Sequence, residues 1–270
     1  MLKKNHKIVI IGCGNLAWHI AKQINKLNLF DIFIYNHQAN PNLNEFKSKL
    51  KCHIDIGFKS LIRDAKYYFI CVSDNHVSNI SKIISPIYST STVLHCSGSL
   101  PLKAIKTKNV NKGVFYPLQT FSKADDINWK HLPILLESNN ILNKSTLEIF
   151  TKNFSKNIIY LDYKMRIKIH LAAVLVNNFT NSLFLAASDL ISDSSSNQNF
   201  KIFLPLIKNT FKKLNNLNPQ ESQTGPAKRR DYNVIKKHLK ALEQNEDLKN
   251  IYELISNLII KQQKKYHVKF

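Results

Sequence analysis

Arginine is nearly missing from a chain that is otherwise strongly basic. Of 39 lysines and arginines in 270 residues only Arg63, Arg166, Arg229 and Arg230 are arginine, and 18 acidic residues leave a formal charge of +21. A charge of that size ordinarily points to nucleic acid or to an anionic membrane surface. Here the lysines are scattered, with no long basic block and no basic stripe interleaved with aromatics, and lysine, asparagine and isoleucine are abundant throughout, as AT-rich codons produce. The charge therefore reads as a solvated surface with a general attraction for anionic ligands, and no nucleic-acid partner is expected. Cysteine is sparse as well. Cys13, Cys52, Cys71 and Cys96 stand far apart, without metal-ligand spacing or a disulfide framework, so reduced thiols in a cytoplasm and no metal site are expected. The start, Met1-Leu2-Lys3-Lys4-Asn5, runs into a strand within a few residues, which leaves no room for a leader peptide. The longest apolar stretch, residues 171–187, is interrupted by Asn177, Asn178, Thr180, Asn181 and Ser182, and is expected to be a buried helix rather than a membrane span. No internal repeat or low-complexity segment is present. The length suffices for two domains, or one large one, around a substantial core.

What stands out against this background is the segment from Lys7 to Ala17. The apolar, β-branched run Ile8-Val9-Ile10-Ile11 breaks into Gly12-Cys13-Gly14-Asn15-Leu16-Ala17, a Gly-x-Gly-x-x-Ala pattern, and Leu16, Ile20, Ile24 and Leu27 then recur at helical spacing. This is a buried strand turning into a helix. Gly12 permits the tight turn, Gly14 leaves room for a diphosphate to approach the backbone, and Ala17 lets the helix lie against the strand. The free N–H groups of Asn15 and Leu16 at the helix start can then hold phosphate; the alternative is a plain tight turn.

Further strands are expected at 31–35, 53–56, 66–72, 92–96, 113–116, 133–136 and 158–161, with helices at 42–50, 76–84 and 145–153 between them. Strands alternating with helices imply an α/β fold, a doubly wound parallel sheet of the Rossmann-like kind. From about Tyr163 only helices are expected, over 165–192, 200–214, 227–242 and 247–266, with a polar Ser/Asp/Asn loop after the first. The expected organisation is a dinucleotide-binding domain over 1–162 and an all-helical C-terminal domain over 163–270.

Ligands on such sheets bind beyond the carboxyl ends of the strands. Those ends carry Asn36-His37, Val72-Ser73-Asp74, Ser97-Gly98-Ser99 and Pro117-Leu118-Gln119-Thr120. After the second strand an acidic residue would grip the ribose hydroxyls of NAD. Asn36 and His37 offer no carboxylate to repel a 2'-phosphate, which favours NADP; an ordinary polar loop is the other reading. On the long helix, at about 100° per residue, Arg166, His170, Val174, Asn177 and Asn181 share one narrow face. Buried polar groups require partners, so this stripe is either a wall of a substrate or cofactor site or an interhelical or dimer-interface hydrogen-bond network. In the first case His170 is the proton donor, histidine being the side chain that titrates near neutral pH. Gln223-Thr224-Gly225-Pro226-Ala227 is a helix start, and Arg229 beside it either binds a carboxylate or phosphate or pairs with Asp231 or Glu221. His95 and Tyr116, near strand ends, are further candidates.

Five motifs stand in order: 11–17 (Ile-Gly-Cys-Gly-Asn-Leu-Ala), 95–99 (His-Cys-Ser-Gly-Ser), 113–122 (Gly-Val-Phe-Tyr-Pro-Leu-Gln-Thr-Phe-Ser), His170-Leu-Ala-Ala-Val with Asn177-Asn-Phe-Thr-Asn181, and 223–227 with Arg229 and Asp231. Together they resemble, over nearly the whole chain, bacterial proteins that pair a Rossmann-like domain with a helical C-terminal domain of unknown function, number 2520, described as candidate NADP-dependent oxidoreductases. More distantly the layout is similar to pyrroline-5-carboxylate reductase, ketopantoate reductase and the 3-hydroxyisobutyrate dehydrogenase group. In the last group a catalytic lysine precedes an Asn-Asn pair by one helical turn, and the matching position here is Val174. The resemblance therefore implies a reductase of a small, anionic carbonyl or imine compound in which His170 and Asn177 replace the lysine, or whose substrate needs no strong acid. Gly12, Gly14, Asn15 and Leu16 hold the diphosphate, and Asn36 and His37 meet the 2'-phosphate. Val72, Ser73, Ser97 and Gly98 line the nicotinamide side, and His95, Gln119, Asn181 and Arg229 contact substrate. The rival reading is a nucleotide-binding sensor or scaffold without turnover. Apolar faces in the helical domain suggest a homodimer.

Overall fold

The structure, a computed structural model, describes residues 6–108, 110–192 and 199–267. The polar loop expected after the long helix falls on 193–198 and lies outside the described residues, as does the start at 1–5. The chain divides into two compact units, Met1–Val176 and Asn177–Phe270.

The first unit holds an eight-stranded sheet. Its elements are β1 (His6–Ile11), α1 (Asn15–Leu27), β2 (Phe30–Asn36), α2 (Asn42–Leu50), β3 (His53–Ile56), β4 (Tyr67–Ile70), α3 (Asp74–Ile83), β5 (Thr92–His95), β6 (Asn111–Pro117), β7 (Ile134–Ser138), α4 (Ile141–Thr151) and β8 (Ile158–Tyr160). The strand order is β3-β2-β1-β4-β5-β6-β7-β8, so the order reverses between β1 and β4. Successive residues of β1 face opposite sides. Ile8 and Ile10 pack with Ala17, Trp18 and Ile20 of α1, whereas Val9 and Ile11 pack with Tyr68, Ile70 and Val77 on the other face. A strand buried on both faces reads as an unbroken apolar run, which is why this segment has no polar alternation.

One departure from the expected parallel sheet lies at β7, which pairs antiparallel to β6 while β8 runs parallel to β7. A parallel neighbour needs a crossover, usually a helix. The 118–133 connection has only a 3-10 turn at Trp129–His131, and it closes with the Leu118 N–H donating to the Pro133 carbonyl at 2.9 Å. The chain therefore turns back down the sheet. As a result β8 ends beside the amino ends of the parallel strands, and the next helix climbs from there toward their carboxyl ends.

That helix, α5, runs from Tyr163 to Ser192. It is α-helical over Tyr163–Ala173 and Thr180–Ser192 but π-helical over Val174–Phe179. Each i→i+5 turn takes about one residue more than an α-turn, so the single face drawn at 3.6 residues per turn does not carry through from His170 to Asn177 and Asn181. Nor is α5 buried: among its residues only Arg166 is, while Leu171 is 60 % and Val176 72 % exposed. By length and hydropathy alone it is long and apolar enough to cross a membrane.

The second unit continues with α6 (Leu204–Leu214), α7 (Pro219–Ser222), α8 (Pro226–Arg229), α9 (Tyr232–Ala241) and α10 (Glu246–His267). The single helix expected over 227–242 is broken. Arg230 sits in the left-handed region at φ 57°, and the Asp231 side chain then caps α9 by accepting from the Val234 N–H at 3.2 Å. The four-residue α7 starts with a capping box between Asn218 and Glu221.

Candidate active site

The turn after β1 is built on two glycines with different duties. Gly12 has φ 111°, and a Cβ there would overlap the Cys71 carbonyl oxygen, so the ends of β1 and β4 touch backbone to backbone at the point where the strand order reverses. Gly14 is the N-cap of α1 with no side-chain cap, and a Cβ there would meet nothing within 4 Å. The first-turn N–H groups of α1 have no intrahelical partner. A cleft of about 470 Å³ opens beside them, lined by Gly12, Gly14, Asn36, His37, Val72 and Ser73 among others. This is the position where doubly wound sheets hold a dinucleotide, and Gly14 leaves the backbone there open. A larger cavity, about 1180 Å³, lies at the opposite end of the strands between His6, Lys66, Asn111 and Asn140. It has no glycine turn, and the helix start it touches, that of α4, is already capped by the Asn140 side chain, which accepts from the Asn143 N–H at 2.7 Å, so volume alone does not place the site.

Several side chains there are already committed. The Asn36 side-chain amide donates to the Gln38 carbonyl at 2.8 Å, and His37 is exposed at the lip. The Asn15 side chain donates to the Phe121 carbonyl at 2.8 Å. Leu16 is half-buried. Ser73 caps α3 by its backbone only and is exposed.

A second group lies on β5 and β6 at the same, carboxyl end of the parallel strands. The Ser97 hydroxyl donates to Asp74 at 2.9 Å and accepts from the Ser99 and Leu100 N–H groups at 3.0 and 3.1 Å, and the Ser99 hydroxyl also donates to Asp74. This ties the loop after β5 to the start of α3. Gly98, at the loop's crest, is buried against two rings. A Cβ on it would come within 2.7 Å of His170 Nδ1 and 2.8 Å of Tyr116 Cζ. Above it the Tyr116 hydroxyl and His170 Nδ1 are 3.0 Å apart, a hydrogen bond that either group can donate. Both are half-buried, and burial pushes the Tyr116 phenol up, so it stays protonated at neutral pH.

One turn before His170, Arg166 is fully buried. Its guanidinium pairs with Glu137 of β7 and donates to the Leu100 carbonyl, while Nε has no partner. Arg166 thus anchors α5 to the sheet and sets the height of His170. His95 is not at the surface of the site but beneath it. It is fully buried, its Nδ1 accepts from the Ser97 N–H at 3.2 Å, and its pKa is pushed down to about 4, chiefly by burial and then by Arg166. His95 is therefore neutral and shapes the loop, out of reach of a substrate. Gln119 is exposed, with its side-chain oxygen accepting from the Thr120 N–H at 2.9 Å.

Asn177, in the π turn, Asn181 and Arg229 belong to the second unit, where all three are exposed. Sequence reasoning missed Glu137 altogether, since nothing local marks it. It placed Arg166 on the helix stripe without a partner and ranked Tyr116 low, because one tyrosine near a strand end carries no signal until His170 is brought to it.

These features define a Rossmann-like nucleotide-binding fold with a helical second unit. The profile of the domain of unknown function 2520 matches residues 132–259. Among solved structures, a candidate NADP oxidoreductase from Bacteroides fragilis is 30% identical, with 96% of this chain and 99% of that one covered at a TM-score of 0.86. A pyrroline-5-carboxylate reductase from Streptococcus pyogenes (12% identity, 95% and 98% covered, TM-score 0.60) and one from Plasmodium falciparum with NADP bound (14%, 97% and 98%, 0.56) share the fold. No curated protein matches the sequence. The chain belongs to the family of Rossmann-like proteins that carry the domain of unknown function 2520.

Proposed function

We propose that the protein is an NADP-dependent oxidoreductase that reduces a small, anionic carbonyl or imine compound. The observation that carries this reading is the Tyr116–His170 pair, a proton-sharing couple seated on Gly98 at the same end of the sheet as an open glycine turn. Gly12, Gly14, Asn15 and Leu16 present backbone to the diphosphate, Asn36 and His37 face the 2'-phosphate without a carboxylate to repel it, and Val72, Ser73, Ser97 and Gly98 border the nicotinamide. When bound, the nicotinamide supplies the hydride. Tyr116 and His170 hold the proton that the substrate oxygen or nitrogen takes up, and its loss from one member is made good by the other across the 3.0 Å contact. Asn177 and Asn181 polarise the substrate, and Arg229 anchors its acid group. Gln119, exposed beyond the end of β6, contacts the substrate. The bacterial relative described as an NADP oxidoreductase supports this assignment.

The protein is further read as a cytoplasmic homodimer. The apolar face of α5 has to be covered, and Asn177, Asn178, Thr180, Asn181 and Ser182 along it suit a second protein copy better than lipid. The test of function is NADPH oxidation against a panel of keto acids and cyclic imino acids. Turnover that falls at least about a hundredfold in His170→Ala and Tyr116→Phe supports the roles given. Unchanged turnover in both removes them, and dinucleotide binding without turnover on any compound favours a sensor.

A further inference from the structure

The end of β2 lacks a fixed cation. Residues 36–42 contain neither lysine nor arginine, yet the adenosine ribose of a dinucleotide is read here, and a 2'-phosphate requires positive charge. The fold brings that charge from 81 positions away. The connection between β6 and β7 is stitched across α1. The Asn15 side chain donates to the Phe121 carbonyl at 2.8 Å, and the buried His19 donates from Nε2 to the Ser122 carbonyl at 2.7 Å. The Ser122 N–H donates to Asp125 at 2.7 Å, which turns the strap. The next residue is Lys123. Its ammonium donates to Asn42 Oδ1 at 2.6 Å and lies 3.5 Å from the Glu45 carboxylate and 5.6 Å from the centre of the Trp18 ring.

Asn42 links this ammonium to the cleft. Its side-chain N–H donates to the Cys13 carbonyl, inside the glycine turn, at 3.2 Å, and its backbone N–H donates to Asn40 Oδ1 at 2.9 Å. Cys13 and Asn40 both line the cleft. The Lys123 side chain is 22 % exposed, so the charge is held in place but still reachable.

We propose that Lys123 reads the 2'-phosphate and so sets the preference for NADP over NAD, an inference that rests on the dinucleotide reading above. Lysine suits the task because it is a compact charge with three donors on a flexible stem. Glu45 holds the ammonium near Asn42 before the phosphate arrives. When Lys123 turns to the phosphate, Glu45 keeps Lys49 at 3.1 Å, so no carboxylate is stranded.

The test is titration of the full-length protein with NADPH and NADH by nicotinamide fluorescence, and with adenosine 2',5'-bisphosphate and AMP by calorimetry. Lys123→Ala is expected to weaken NADPH and the bisphosphate about 10- to 100-fold while NADH and AMP change less than about twofold. Lys123→Arg restores most of the loss, and Glu45→Gln tightens NADPH about threefold by freeing the ammonium. Unchanged melting temperatures show that the strap has stayed in place. An equal loss for NADPH and NADH, or none for NADPH, overturns the proposal while the dinucleotide reading stands. A wild type that binds no dinucleotide overturns both.

Discussion

Replacing Gly14 by alanine separates binding from folding. The residue has φ −78° and ψ −177°, extended backbone open to any side chain, and a methyl group there touches nothing within 4 Å. Removing the glycine's freedom in the unfolded chain stabilises by about 0.4–1 kcal/mol. Alanine is a poorer N-cap than glycine by roughly 0.5–1 kcal/mol. The two nearly cancel, so the melting temperature should stay within about 2 °C of wild type. The same methyl group stands where the diphosphate must approach, and an overpacked contact of about 1–3 kcal/mol weakens NADPH about 5- to 150-fold. Gly12→Ala behaves in the opposite way. Its Cβ overlaps the Cys71 carbonyl, a backbone atom with nowhere to go, at a φ that alanine rarely adopts. Strain and overpacking together cost roughly 2–6 kcal/mol, a drop of about 5–20 °C. Thermal melts paired with NADPH titration read both quantities. An alanine at position 14 that melts and binds like wild type would refute the assignment of this turn.

Arg166→Met strands the Glu137 carboxylate, which is only 19 % exposed, and should cost about 2–4 kcal/mol by urea denaturation, with Glu137→Met in the same chain recovering at least half. His95 gives a pH signature. It takes up a proton near 6.5 when unfolded but only near 4 when folded, so the unfolded chain binds more protons between those values. Stability therefore rises with pH across that window and falls by up to about 3 kcal/mol as pH drops from 6.5 to 4, and His95→Gln should flatten the profile. Light scattering on a sizing column should give twice the chain mass, and Leu171→Lys combined with Leu185→Lys on α5 should lower it. A wild-type monomer at about 10 μM would remove the dimer.

The elements legible in the sequence are those fixed by short-range pattern. The run from Lys7 into Gly12 and Gly14 specifies strand, turn and helix together. The helix Asn42–Leu50 follows the break at Asn40-Pro41 and the strand His53–Ile56 stops at Gly57, so both are legible from local pattern. Strand direction was not legible at β7, since the strand reads the same either way and only the helix-free connection before it decides. The π turn is not legible because nothing local in Val174–Phe179 marks it, and the phase shift it introduces separates Asn177 and Asn181 from the face that carries His170. The site itself depends on pairings across long separations. Tyr116 with His170, Arg166 with Glu137 and Lys123 with Asn42 are unremarkable residues until the fold joins them. Gly98 lay in a noted strand-end motif, but that its missing side chain seats two rings is a fact of packing alone.

In the proposed function the turn at Gly12 and Gly14 holds a nicotinamide dinucleotide, with NADPH preferred. Titrating the wild-type protein with NADPH and NADH, following nicotinamide fluorescence, tests it most directly. Saturable NADPH binding, one per chain and at least about tenfold tighter than NADH, is expected. Binding of neither up to millimolar concentration would contradict the dinucleotide site, and tighter binding of NADH would contradict the reading of the β2 end.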